Sequence, residues 1–205
     1  MKLQRWLTAL LLVAIIPASA DAQRRRPNER APQYWNRFSL EPYAGAFKDA
    51  YDASDSNTGY LVGLRVGYEF GWRGRAMLNA AFSEVDDVFS PSVSPDFFVY
   101  DNNWIFTTIG GEFDVIPGNT SASIGVHGGA AWRKVTLDER IGDPIGIPED
   151  DEGYSAQGIV VPGLTLRHRL STRAALSLAF EDYIFDLSDG PVDHSPALSL
   201  GFTFR

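Results

Sequence analysis

Residues 60–72, YLVGLRVGYEFGW, carry a large apolar side chain at every second position: Tyr60, Val62, Leu64, Val66, Tyr68, Phe70 and Trp72. Between them lie Leu61, Gly63, Arg65, Gly67, Glu69 and Gly71. A period of two belongs to a strand. A helix here would lose about 1 kcal/mol at each glycine relative to alanine. Seven further segments repeat the pattern, and together they predict strands at 37–47, 60–72, 75–86, 102–116, 119–135, 154–169, 173–186 and 194–204. Strands in soluble sheets average about 5–6 residues, so these are long. At roughly 3.3 Å per residue, 60–72 extends about 43 Å.

The connections add a second signal. Arg73-Gly74-Arg75, Pro117-Gly118 and Leu170-Ser171-Thr172 are tight turns. The alternate connections are long, at 48–59, 87–101, 136–153 and 187–193. Strict alternation of short and long connections, with strands able to cross an apolar band about 25 Å tall, is the organisation of an outer-membrane barrel. Charge divides the same way. Acidic residues such as Asp49, Asp86, Asp101 and Asp143 crowd the long connections, and Arg73, Arg75, Arg169, Arg173 and Arg205 the turn side. Aromatic residues are expected in two girdles. Trp35, Phe38, Phe70, Trp72, Phe113, Phe202 and Phe204 fall at the turn side; Tyr60, Tyr100, Trp104, Trp132, Tyr154 and Phe185 fall at the loop side. The expected fold is all-β, an eight-stranded antiparallel up-and-down transmembrane β-barrel over 37–205. Pro42 and Pro162 fall inside strands, where each removes a ladder donor, so bulges are expected there. The loss of clean alternation near Asp182 suggests a bulge or a strand end.

Residues 37–205, with their loop asymmetry and the closing alternation LSLGFTFR, resemble the small eight-stranded outer-membrane barrels of the OmpA transmembrane domain and OmpX type. The resemblance implies lipids of the outer membrane of a Gram-negative-type bacterium as surroundings. It also implies recognition by the barrel-insertion machinery through Phe202 and Phe204. In that family the last residue is usually Phe, whereas here Arg205 follows Phe204.

Composition narrows the picture. Lys2 and Arg5 precede an apolar run, Trp6 to Ile16, that is too short to span a bilayer as a helix. Small residues follow, so 1–22 reads as a signal peptide cleaved after Ala20 or Ala22. Residues 23–36 read as a flexible basic periplasmic arm. Without cysteine, neither a disulfide nor a thiolate metal site can form. A net charge of −8 argues against nucleic acid as a partner. Nothing in the sequence implies a cofactor.

Parity places Glu41, Arg65, Glu69, Glu112, His127, Arg167 and Glu181 in the barrel lumen, with Asn79 and Thr165 nearby. Charges out of water must pair, so a salt-bridged plug is expected, with Arg65 bound to Glu41, Glu69 or Glu112. Four Glu against two Arg leave a carboxylate in excess. Two functions compete with a structural or interaction role: a narrow gated pore for ions or small solutes, and a lipid-modifying enzyme. A nucleophile needs a base within hydrogen-bond reach: His168 and Ser171 are three apart but fall at the periplasmic end of strand six, His127 and Ser123 are too far apart along their strand, and His194 and Ser195 point to opposite faces. The expectation is no enzyme. Glu149, Asp150, Asp151 and Glu152 form an acidic stretch that could take a divalent cation through carboxylate oxygens, although it lacks the spacing of a helix-loop-helix calcium loop.

Overall fold

The computed structural model describes residues 38–49, 57–70, 73–89, 97–141, 154–185 and 192–205. The signal peptide, the basic arm, Trp35, Trp72 and the acidic stretch 149–152 lie outside them.

Eight strands form: β1 (Phe38–Asp49), β2 (Asn57–Phe70), β3 (Gly74–Phe89), β4 (Phe97–Ile116), β5 (Thr120–Ile141), β6 (Ser155–Arg169), β7 (Ala174–Phe185) and β8 (Asp193–Phe204). Each pairs antiparallel with the next, and β8 pairs with β1 to close the barrel. Closure satisfies the backbone without a sheet edge, as lipid demands.

Register partners can be followed round the wall from Phe70 through Gly74, Phe113, Ile124, Leu164, Phe180, Leu198 and Ala46 to Tyr60. The path leaves β2 at residue 70 and returns at residue 60, a stagger of ten residues. Eight strands with such a stagger tilt by about 40° and enclose an interior that side chains can fill. Every residue on this path other than Gly74 is apolar or aromatic and points outward. Ile109, Val126 and Leu200 are more than half exposed, as they must be on a wall whose solvent is lipid.

The strands nearest the long connections run further than the apolar pattern predicts. The β3–β4 ladder continues to Phe89 opposite Phe98, and β4–β5 to Phe97 opposite Ile141. The backbone ladder there outlasts the stretch over which the sequence alternates cleanly.

The bulges expected at the prolines are absent. Pro42 opposes Leu64 and Pro162 opposes Val126 in unshifted register. The opposite neighbours show gaps instead: β1–β8 pairs at Leu40 and resumes at Tyr43, and β6–β7 pairs at Val160 and resumes at Gly163. Leaving out two successive pairs lets the ladder pass a residue with no N–H. Register shifts occur in β4–β5, at Val99/Tyr100 and Asp114/Ile116. Around Asp182 the β7–β8 register is unbroken, so neither a bulge nor a strand end lies there. The alternation fails because Asp182 is a polar residue at an outward position.

Candidate functional site

The lumen has two layers. Toward the short turns it is ionic. Glu41, Arg65, Glu69, Glu112, His127, Arg167 and Glu181 are all buried there, with Asn79 and Thr165. Arg65 reaches Glu41 at 3.0 Å and Glu181 at 2.7 Å. Its guanidinium also lies 3.8 Å from the centre of the Tyr43 ring and donates to Ser199 Oγ at 3.2 Å. Arg167 bridges Glu41 and Glu112, at 3.5 and 3.3 Å.

Two cations of this layer escaped the parity reading. Arg75, assigned to the periplasmic rim from its place beside a turn, points inward and binds Glu69 at 3.0 Å and Glu112 at 3.1 Å. Its strand-mates Met77, Asn79 and Ala81 are buried on the same side, and that parity was the available signal. Arg205 follows the last strand, where no alternation remains to orient it, and reaches Glu69 at 2.5 Å. Arg65, Arg75, Arg167 and Arg205 therefore meet Glu41, Glu69, Glu112 and Glu181, and the expected carboxylate excess disappears. Glu69 sits with Arg75 and Arg205 rather than Arg65.

Hydroxyls complete the layer. Thr203 donates to Glu41 at 2.5 Å and Thr165 to Glu112 at 3.1 Å. The fit depends on missing side chains. A Cβ at Gly63 would collide with the Tyr43 ring, and one at Gly201 would stand 2.6 Å from Ser177 Oγ and 3.1 Å from Glu41. His127 is buried in the wall with neither ring nitrogen hydrogen-bonded among the described residues.

Toward the long connections the lumen is aromatic. Phe47 packs against Phe106 and Tyr183, with ring centres 5.4 and 5.5 Å apart. Trp104 stacks on Phe106 at 5.7 Å and meets Phe185 at 5.0 Å. Leu61, Val85, Ala131 and Ile159 are buried in the same cluster. Trp104 and Phe185 are thus not members of the outer lipid girdle: both are fully buried inside the barrel. Asp49 is not an external loop acid either. It ends β1, is buried, and accepts the Trp104 indole N–H at 2.9 Å. Among the other girdle candidates, Phe38, Phe70, Phe113 and Phe204 at the turn end and Tyr60 and Tyr154 at the loop end are exposed.

The His–Ser candidates do not assemble into a nucleophile. His168 Nδ1 lies 2.8 Å from Thr120 Oγ1, while Ser171 accepts from the Arg173 backbone. Ser123 donates to Asp114 at 2.6 Å, leaving His127 aside. His194 bonds Asp182 at 2.7 Å on the outer face, and Ser195 is buried on the inner one.

No protein-family model matches the sequence, and no curated protein sequence does. Solved structures do resemble it in fold. Neisserial surface protein A (NspA) is 14% identical, with 83% of this chain and 97% of that one covered and a TM-score of 0.51. Ail, the attachment invasion locus protein of Yersinia pestis, is 17% identical over 82% and 96% of the two chains, with a TM-score of 0.47. The outer membrane protein OprG of Pseudomonas aeruginosa is 14% identical over 82% and 95%, with a TM-score of 0.49. Closed by eight antiparallel strands and wrapped in an apolar outer band, the chain has the fold of the small outer-membrane β-barrels, and that band is a surface fit for a membrane.

Proposed function

We propose that this protein is a closed membrane barrel with a structural or interaction role in the cell envelope, acting through its loops and lipid-facing surface rather than by passing solutes. The observation that carries this reading is the filling of the lumen, ionic below and aromatic above. The long connections face outward and the arginine-rich turns face the periplasm. Phe202 and Phe204, whose rings lie 4.8 Å apart on the last strand, serve as the insertion signal. Residues 1–22 serve as the export signal, and 23–36 as a basic arm in the periplasm. A divalent cation at Glu149, Asp150, Asp151 and Glu152 would be an external ligand of the loop.

One feature favours the gated-pore reading: Glu41 and Glu112 each serve two arginines, so partners could be exchanged without leaving a charge unpaired. Such an exchange would still leave the aromatic layer in the path. Two measurements test the proposal. Vesicles carrying the refolded barrel should not swell in small sugars, and swelling at the rate of an open porin would refute closure. An epitope inserted within 142–153 should bind antibody on intact cells, whereas binding only after permeabilisation would reverse the orientation.

A further inference from the structure

At the loop-end margin of the apolar band, the outer wall carries a built polar pair. His194 Nδ1 lies 2.7 Å from Asp182 Oδ2. Both residues occupy outward positions on neighbouring strands, Asp182 opposite Pro196 and His194 opposite Ile184. Asp182 stands one outward position above Phe180, which belongs to the apolar path round the barrel. The histidine side chain is 56% exposed and the aspartate 26%. On the other side of β8, the pairs Ala46–Leu198 and Phe47–Ala197 carry Lys48 to the level of Pro196. Lys48 is outward and exposed, diagonal to His194, a relation that sets residues about 7–8 Å apart. It makes no ion pair among the described residues. Two basic side chains therefore flank one spot on β8, and an aspartate fixes the ring of one of them.

With Nδ1 held by the Asp182 carboxylate, the ring turns Nε2 away from the pair, where it can face a phosphate oxygen. Lys48 has a long apolar stem that can lie along the wall while its ammonium rises to the headgroups. Of the nearby acids, Asp182 is engaged by His194, Glu84 by the Tyr60 hydroxyl, and Asp193 sits at an inward register position opposite Phe185; Asp86, exposed on the outer face, is separated from Lys48 by β2. Below the two donors the wall is apolar, with Phe180, Leu198 and Leu200 exposed.

We propose that Lys48 and His194, with His194 held by Asp182, bind the phosphate of an outer-leaflet lipid headgroup whose acyl chains cover Phe180, Leu198 and Leu200. A free phosphate would meet the same two donors but would leave that apolar surface unused. The inference rests on the reading of the chain as a membrane barrel with its loops outward.

The test uses the refolded full barrel in detergent, with native mass spectrometry counting retained lipid. Phosphatidic acid and diacylglycerol of identical chains serve as probes. Phosphatidic acid should be retained in preference. Lys48→Ala or His194→Gln should each reduce that preference about fivefold, as expected for one basic side chain at an anionic membrane surface. Asp182→Asn should lower it through His194 while both donors remain. All variants alter outward-facing positions, so each should keep the gel shift between unheated and boiled samples. Equal retention of the two lipids, or an unchanged ratio in the Lys48→Ala/His194→Gln double variant, overturns the site. Displacement of phosphatidic acid by millimolar inorganic phosphate overturns the assignment to a lipid. Absence of the gel shift in the native chain would instead sink the membrane-barrel reading.

Discussion

The two layers of the lumen fill the same barrel by opposite means. In the lower layer four arginines and four glutamates balance one another in charge, and each pair is secure only while its partners stay. Removing one charge from a buried pair costs about 3–5 kcal/mol, whereas replacing the whole group by apolar side chains can cost nothing. In the upper layer the rings of Phe47, Trp104, Phe106, Tyr183 and Phe185 interlock without needing a partner of opposite sign. Loss there is set by the cavity left behind. The ionic layer demands exact stoichiometry and the aromatic layer demands volume, so they should fail differently under mutation.

Arg65→Ala should have the largest effect. It abandons Glu41 and Glu181 together, and urea unfolding in lipid vesicles should show a loss of about 4 kcal/mol. Adding Glu41→Gln and Glu181→Gln to it should recover part of that loss. A double loss in the triple variant would mean that the lower layer is held by shape and not by charge pairing. Phe47→Ala removes the ring that touches Phe106 and Tyr183 and should cost about 3 kcal/mol by the same assay. No neutral partner change should rescue it, although a larger side chain at a facing position should.

Leu64→Arg probes the wall that both layers share. Leu64 faces lipid between Tyr60 and Phe70, and an arginine near the bilayer midplane costs about 2–3 kcal/mol. An unchanged midpoint would place this face away from lipid. His127→Leu should have the smallest effect, within about 1 kcal/mol. With no hydrogen bond to lose, it strands no partner. A loss of several kcal/mol there would reveal a contact that joins the two layers.

The strand pattern made the fold legible because lipid on one side and a packed interior on the other impose a strict period of two. Strand order and closure followed from the short and long connections. The ionic residues were conspicuous for the same reason: Arg65 and Glu69 interrupt an otherwise apolar and glycine run. The aromatic layer was hidden. Trp104 and Phe185 lie near strand ends, where rings are expected against headgroups, and composition alone cannot separate an inward ring from an outward one. The available signal was parity: Trp104 lies eight residues from Glu112 on β4 and Phe185 four from Glu181 on β7, so each faces the lumen with its glutamate. Arg75 was obscured by its position one residue after a tight turn, where a charge reads naturally as solvated. The missing pairs beside Pro42 and Pro162 were also beyond reach, because a sequence records the absent N–H but not which neighbour yields.

Single-channel recording across a planar bilayer tests the closed lumen most directly, with the gel shift on boiling as the control for insertion. The native barrel should give no sustained conductance, and neither should Phe47→Ala combined with Phe106→Ala, because the ionic layer still fills the lumen below. Reproducible ohmic channels in the native protein would contradict a sealed aromatic layer.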